Sequence, residues 1–353
     1  MPVPSSAADG SPASHSWPEV LSALVAGDDL TVEQATWAMG QILAGEASES
    51  QIAGFAVSLR AKGETSDELS GLVAAMLAKA QRLTVPGRWL DVVGTGGDRS
   101  FSVNISTMSA IVAAGAGAPV IKHGNRSASS KAGAAAVLER LGVRLDLTPD
   151  RVVAVAEEVG ISFCFAPTFH PALRHAAVPR RELGIATVFN FLGPLAHPAQ
   201  PAAQAIGCAD LRMAPLMAEV FARRGADAWV FRGDDGLDEL TTTTTSQVWV
   251  VSGGQVEQVT IDPGDLGLVR ATAEDLRGGD VEVNAAAVQL LLAGTPGPVR
   301  DAVVLNAGAA LAVHASGQGC VADRLAEGMR RAEESIDSGQ AREKLSRWVA
   351  ATG

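Results

Sequence analysis

Between Trp17 and about Leu83 the apolar residues fall at helical intervals, as in Ile52, Phe55, Ala56 and Leu59. Three of these runs are entered through a hydroxyl residue with Gln or Glu three positions on: Thr31 with Gln34, Ser48 with Gln51, Thr65 with Glu68. At that spacing each side chain can satisfy an orphan N–H near the other, so the pattern marks helix starts and predicts a small helical domain. From Trp89 onward the texture changes. Short β-branched and aromatic runs, such as Trp229-Val230-Phe231 and Val248-Trp249-Val250-Val251, alternate with Ala- and Leu-rich helical patterns. This alternation predicts a larger α/β domain around a central, largely parallel sheet, with ligands bound beyond the carboxyl ends of the strands. The stretch from about Thr168 to Pro201 carries few strand signals and is rich in Pro, His and Arg. Residues 1–16, rich in Ser, Ala and Pro, read as a disordered tail.

Two strand-to-helix turns carry candidate chemistry. Leu90-Asp91-Val92-Val93 runs into Gly94-Thr95-Gly96-Gly97-Asp98, and Asn104-Ile105-Ser106-Thr107 then opens an Ala-rich helical segment. A glycine turn leading to a hydroxyl-capped helix start presents free N–H groups at a positive helix end, which suits a phosphate. Ser106 and Thr107 add hydroxyls that can reach phosphate oxygens or a magnesium ion. Taken alone, the same residues also describe an ordinary tight turn with an N-cap. Downstream, Pro119-Val120-Ile121 leads into Lys122-His123-Gly124-Asn125-Arg126-Ser127-Ala128-Ser129-Ser130-Lys131, before another helical pattern that ends near Gly142. Its cations and serines can serve a second group of anionic oxygens. Without its partner upstream it would read as a solvated basic loop.

Asp238-Glu239 forms a third feature, between Asp234-Asp235-Gly236-Leu237 and the run Thr241 to Thr245. Adjacent carboxylates supply hard oxygen ligands for magnesium and leave room for water and substrate phosphate, although by themselves they equally fit a solvated acidic loop. The threonines read as polar strand or loop with no catalytic role.

Composition narrows the class. A chain of 353 residues, 47% hydrophobic and 19% charged, can bury two cores or one large one. The net charge of −11 argues against nucleic acid, but it leaves open a phosphorylated small molecule, because local cations and helix ends set the field inside a cleft. Cys164, Cys208 and Cys320 stand far apart without metal-ligand spacing, consistent with thiols in a reducing cytoplasm. No uninterrupted apolar stretch reaches membrane-spanning length, and no basic-then-apolar signal pattern opens the chain.

Gly94-Thr95-Gly96-Gly97-Asp98, Asn104-Ile105-Ser106-Thr107 and Lys122-His123-Gly124-Asn125-Arg126 closely resemble the anthranilate phosphoribosyltransferases of tryptophan biosynthesis. Further blocks agree in order and approximate spacing: Phe165-Ala166-Pro167 with His170, Arg180-Arg181-Glu182-Leu183-Gly184, Phe189-Asn190-Phe191-Leu192-Gly193-Pro194-Leu195 and Gly236-Leu237-Asp238-Glu239. The likeness covers the chain from about Trp17 onward.

The resemblance implies transfer of a phosphoribosyl group from 5-phosphoribosyl diphosphate to the amine of anthranilate. By it, residues 17–84 and 168–201 would form the helical domain, and 85–167 and 202–353 the α/β domain. The sugar diphosphate would be held by Gly94, Gly97, Asp98, Ser102, Asn104, Ile105, Ser106, Thr107, Lys122, His123, Gly124, Asn125, Arg126, Ser127, Ala128, Ser129, Ser130 and Ala134. Anthranilate would meet Gly94, Asn125, His170 and Arg180, the last as a planar partner for its carboxylate. Two magnesium ions per subunit would be expected, one on Ser106 and Glu239 and one on Asp238 and Glu239. The family precedent is a homodimer joined through the helical domain. No residue is assigned as acid or base, because an aromatic amine is already neutral near pH 7.

A nucleoside phosphorylase of similar architecture would need neither the acidic pair nor an arginine placed for a carboxylate. Several positions depart from the family pattern: Leu173 stands where tyrosine is frequent, Arg232 where histidine is common, Ala134 where serine is usual, and Ala196-His197-Pro198 replaces Thr-Asn-Pro.

Overall fold

The computed structural model describes residues 15–126, 132–317 and 319–353. Ser127, Ala128, Ser129 and Ser130 of the basic loop, and residues 1–14 of the expected tail, lie outside the described residues. Ser16, placed in that tail by composition, instead caps the first helix by accepting from the Glu19 N–H.

Four helices open the described chain: α1 (Trp17–Ala26), α2 (Val32–Ala44), α3 (Glu49–Lys62) and α4 (Ser66–Lys79). The last three begin with reciprocal capping at the expected pairs. Glu68 also accepts from Leu30 N at 2.9 Å and from Lys62 Nζ at 3.1 Å, so a fully buried carboxylate is compensated while it joins the helices.

The α/β domain begins with β1 (Leu90–Gly94), α5 (Ile105–Gly115), β2 (Val120–Gly124), α6 (Ala134–Arg140), α7 (Pro149–Val159) and β3 (Ile161–Phe165). A short-helix segment follows: α8 (Ala166–Phe169), a 3₁₀ turn at Pro171–Ala176, α9 (Ala177–Leu183) and α10 (Leu192–Leu195). This segment turns back onto α2, α3 and α4. The chain then supplies β4 (Ala203–Gly207), α11 (Met213–Arg223), β5 (Asp227–Gly233), β6 (Ser246–Ser252) and β7 (Gln255–Ile261). It ends in α12 (Val281–Leu292), α13 (Pro298–Ala315), α14 (Val321–Asp337) and α15 (Gln340–Thr352).

The seven strands run in the order β3-β2-β1-β4-β5-β6-β7, with β3 through β5 parallel and β6 and β7 antiparallel. Period-two alternation splits the inner strands between two cores. Ala205, Trp229, Phe231, Val248 and Val250 pack with the face that holds α5 and the C-terminal helices. Ile206, Ala228, Val230, Trp249 and Val251 pack with α11 and the helical domain. Covering both faces explains why these strands read as continuous apolar runs. Among the described residues no helix is long and apolar enough to cross a membrane.

The strand order positions the site. From β1 the chain winds to β2 and β3 on one side, whereas β4 joins β1 on the other. The crevice at the carboxyl ends of β1 and β4 is therefore a topological switch point, where open α/β sheets bind ligands.

Candidate active site

A cavity of about 370 Å³ opens at that switch point. It gathers Gly94, Gly97, Asp98, Ser102, Asn104, Ile105 and Ser106 from the first turn, and Lys122, His123, Gly124, Asn125, Arg126 and Ala134 from the second. His170, Arg180, Asp238 and Glu239 complete it, so blocks as far apart in sequence as Gly94 and Glu239 meet. Thr107 is the exception among the described candidates. Its side chain is buried beneath the first helical turn and does not line the cavity. The hydroxyl-capped helix start is also corrected: Asn104 occupies the N-cap of α5 without a side-chain cap bond, and its amide instead donates to Ala132 O at 3.0 Å.

That uncapped start leaves an N–H group for an anion. Ser106 N donates to Glu239 Oε1 at 3.0 Å, and Gly96 N donates to Asp238 Oδ2 at 2.6 Å. Both turn amides are thus aimed at carboxylate oxygens, which stand where oxygen ligands of a phosphate or a metal would be needed. Two missing Cβ atoms allow the acidic turn to come this close. Gly94 and Gly207 are register partners at the ends of β1 and β4. A Cβ on Gly94 would lie 2.2 Å from Asp238 Oδ2, and one on Gly207 would lie 1.6 Å from the Asp238 carbonyl oxygen. Gly207 and Gly96 were absent from the sequence candidates. Nothing in the local run Gln204-Ala205-Ile206-Gly207 announces a neighbour so distant in sequence. We expect Gly207→Ala to destabilise the fold by about 3 kcal/mol, measured by urea denaturation, because backbone rather than a flexible side chain must move.

Burial dominates the electrostatics. It pushes Asp238 up to about 8, aided by repulsion from Asp98 and opposed by the Gly96 N–H. Burial, with Asp238 next, also raises Glu239 well above the ordinary carboxylate range, against the pull of Lys122 and the Ser106 N–H. Lys122 is buried, donating to Val92 O and, at 3.4 Å, to Ser106 Oγ. Burial of the acidic pair outweighs the pull of Lys122, the cation beside it. The pair's hard oxygen donors beside Ser106 fit a divalent cation. Among the described residues no three His, Cys, Asp or Glu side chains form a ready metal cage, so substrate phosphate oxygens would share the coordination, as suits magnesium. The neighbouring acids behave differently. Asp235 Oδ2 accepts the hydroxyls of Thr241, at 2.7 Å, and Thr243, while Asp234 accepts that of Thr245. The threonine run is a loop that ties down those two acids.

The opposite wall is aromatic and cationic. Arg180 lies 5.6 Å over the Phe189 ring, and burial lowers its pKa with no carboxylate contributing. Leu173 lines this wall beside Met76 and Phe189, whereas Arg232 does not line the cavity and donates to Ala209 O at 2.9 Å. The His123 and His170 rings lie 5.4 Å apart between centres, with their planes tilted by 56°. Each is tied to a backbone carbonyl, Gly193 O at 3.0 Å and Ala196 O at 2.9 Å respectively.

Burial holds both imidazoles neutral, bringing His170 to about 4 from 6.5. The unfolded chain protonates this ring below pH 6.5, and the folded chain only near pH 4. Its contribution is therefore complete above pH 6.5 and declines by up to about 3 kcal/mol as pH falls through that window. Unfolding free energies measured from pH 4 to 7 should show a shallower slope in His170→Gln than in the wild type.

Comparison with known proteins settles the family. Residues 18–80 match the helical bundle domain of a glycosyl transferase family, and residues 87–342 match its a/b domain. Anthranilate phosphoribosyltransferase of a Nocardioides species is 68% identical over 336 residues, covering 95% of this chain and 98% of that one. This chain belongs to the anthranilate phosphoribosyltransferase family. The crystal structure of the family member from Thermus thermophilus superposes with a TM-score of 0.87 at 41% identity, over 94% of this chain and 99% of that one. The anthranilate phosphoribosyltransferase of Saccharomyces cerevisiae, in complex with PRPP and Mg, gives 0.87 at 25% identity over 95% and 97%.

Proposed function

We propose that the switch-point cavity holds 5-phosphoribosyl diphosphate across the two glycine-bearing loops and anthranilate against Arg180, Asn125 and His170. As a member of its family, the protein transfers the 5-phosphoribosyl group to the amine of anthranilate, releasing pyrophosphate, in tryptophan biosynthesis. The observation that carries the assignment is the pairing of the Gly96 and Ser106 amides with Asp238 and Glu239, at one end of a cavity whose other wall holds Arg180, which has no carboxylate partner among the described residues.

Leaving pyrophosphate accumulates negative charge as the ribose carbon becomes cationic, so fixed donors at the leaving group contribute most to rate. Lys122, the glycine-turn amides and the hydroxyls of Ser102 and Ser106 are those donors. Magnesium held by Ser106, Asp238 and Glu239, two ions per subunit, would neutralise the diphosphate oxygens. Arg180 orients the acceptor by its carboxylate, and the aromatic amine, already neutral near pH 7, attacks beside His123 and His170 rings that burial keeps neutral. In this reading residues 17–84 and 168–201 act together as the helical domain, and two copies of the chain form a homodimer in the cytoplasm. Loss of anthranilate fluorescence on adding 5-phosphoribosyl diphosphate and magnesium tests the assignment. Turnover should vanish without either addition, and an enzyme that converts anthranilate without the diphosphate would overturn it.

A further inference from the structure

Strands β1 and β2 part just where the catalytic cavity begins. All of β1 is in register with β4 and all of β2 with β3, but β1 and β2 meet in register only at Leu90 and Val120. There Leu90 N donates to Pro119 O at 2.9 Å. One step further along, a parallel ladder would take Val92 N to Ile121 O and His123 N to Val92 O. Side chains occupy those backbone groups instead. Ile121 O accepts from His197 Nε2 at 2.8 Å, Val92 O accepts from Lys122 Nζ, and His123 N donates to Asp91 Oδ1 at 3.1 Å. The His197 ring is fixed for this purpose, because its Nδ1 accepts from Ala199 N at 3.0 Å and leaves the proton on Nε2. Asp91 is fully buried, and its other oxygen, Oδ2, has no hydrogen-bond partner among the described residues. A carboxylate in that position is costly to the fold, which calls for a return elsewhere.

We propose that Asp91 and His197 are positioning residues for phosphoribosyl transfer: by taking the hydrogen bonds that would zip β1 to β2, they keep the strands parted and Lys122 Nζ anchored on Val92 O. Ile121 and His123 are both buried, so a backbone group freed by loss of either side chain has the ladder as its nearest source of a partner. Closing the ladder would place the His123 N–H on Val92 O, the oxygen that now receives Lys122. The ammonium would then lose its anchor and its approach to Ser106 Oγ, now 3.4 Å. Neither Asp91 nor His197 lines the catalytic cavity, so both act through Lys122, which does. The inference rests on the reading of Lys122 as a donor to the departing diphosphate.

The test is steady-state kinetics of the full chain with magnesium, anthranilate and 5-phosphoribosyl diphosphate, in Asp91→Ala, Asp91→Asn, His197→Leu, Lys122→Met and the double variant Asp91→Ala/Lys122→Met. Asp91→Ala and His197→Leu should each lower kcat/KM for the diphosphate at least thirtyfold, while the KM for anthranilate changes less than threefold. Asp91→Asn keeps an oxygen for the His123 N–H and should recover at least tenfold of the loss. In the Lys122→Met background Asp91→Ala should cost less than threefold more, because the group it positions is already gone. An asparagine variant as impaired as the alanine one, equal losses on both substrates, or additive losses in the double variant would overturn the inference and leave the role of Lys122 standing. Lys122→Met within threefold of the wild type would instead overturn the reading on which it rests. If Asp91→Ala does not fold, His197→Leu carries the same prediction. If neither folds, the two side chains hold the sheet rather than Lys122, and the proposal fails.

Discussion

Replacing Glu239 by glutamine is expected to lower kcat by about 10²- to 10³-fold, the usual cost of losing one preorganised electrostatic group at a developing charge. Glutamine nearly preserves shape and can still accept the Ser106 N–H through its amide oxygen, so the fold and the α5 start should survive. It loses the anionic oxygen that the proposed magnesium sites share. The magnesium concentration needed for half-maximal rate should rise with the fall in kcat, while the KM for anthranilate changes less than threefold. Steady-state kinetics over a magnesium series checks both. A variant within threefold of wild-type kcat at all magnesium concentrations would remove Glu239 from the metal assignment. Asp234→Asn is the matched control: that acid is held by Thr245 and does not line the cavity, so its loss should leave the magnesium dependence unchanged.

Arg180→Ala is expected to cut kcat/KM for anthranilate by about 10²- to 10³-fold, or about 3–4 kcal/mol, the scale for removing one side of a desolvated charge-assisted pair. Most of the change should fall on the KM for anthranilate, with the KM for 5-phosphoribosyl diphosphate changing less than threefold. Arg180→Lys should recover only part of the loss. An ammonium is a point charge that cannot meet both carboxylate oxygens in plane, and it gives up the guanidinium packing over Phe189. If both substrates lost affinity equally, Arg180 would be supporting the α9 segment rather than binding the acceptor. The Glu239 and Arg180 variants probe opposite ends of one cavity, so their effects should separate by substrate.

The helix starts at Thr31, Ser48 and Thr65 were legible because a capping box is a local transaction between residues three apart. The strands around Val92, Ile121, Val230 and Val250 were legible for a related reason. Burial on both faces of the sheet favours strands rich in apolar residues. Nearly every described residue that the motif blocks nominate lines the catalytic cavity, Thr107 excepted, since chemistry at a phosphate requires particular residue types in order.

Other features depended on separations that no local pattern encodes. Thr107 resembles Ser106 in sequence, but one step around a helix turns its side chain from the cavity into the core. Asp234 and Asp238 looked alike as members of one acidic run. Only folding ties the first to a threonine hydroxyl and sets the second against Gly94 and Gly207, where two strands end without side chains. Element types, the pairing of a helical with an α/β domain, and the family were all readable along the chain, because propensity, capping and periodicity act over a few residues and motifs preserve their order. Which amides face which carboxylates, and where burial raises a pKa, emerged only from the folded chain. Those properties come from atoms brought within a few ångströms by chain segments far apart in sequence.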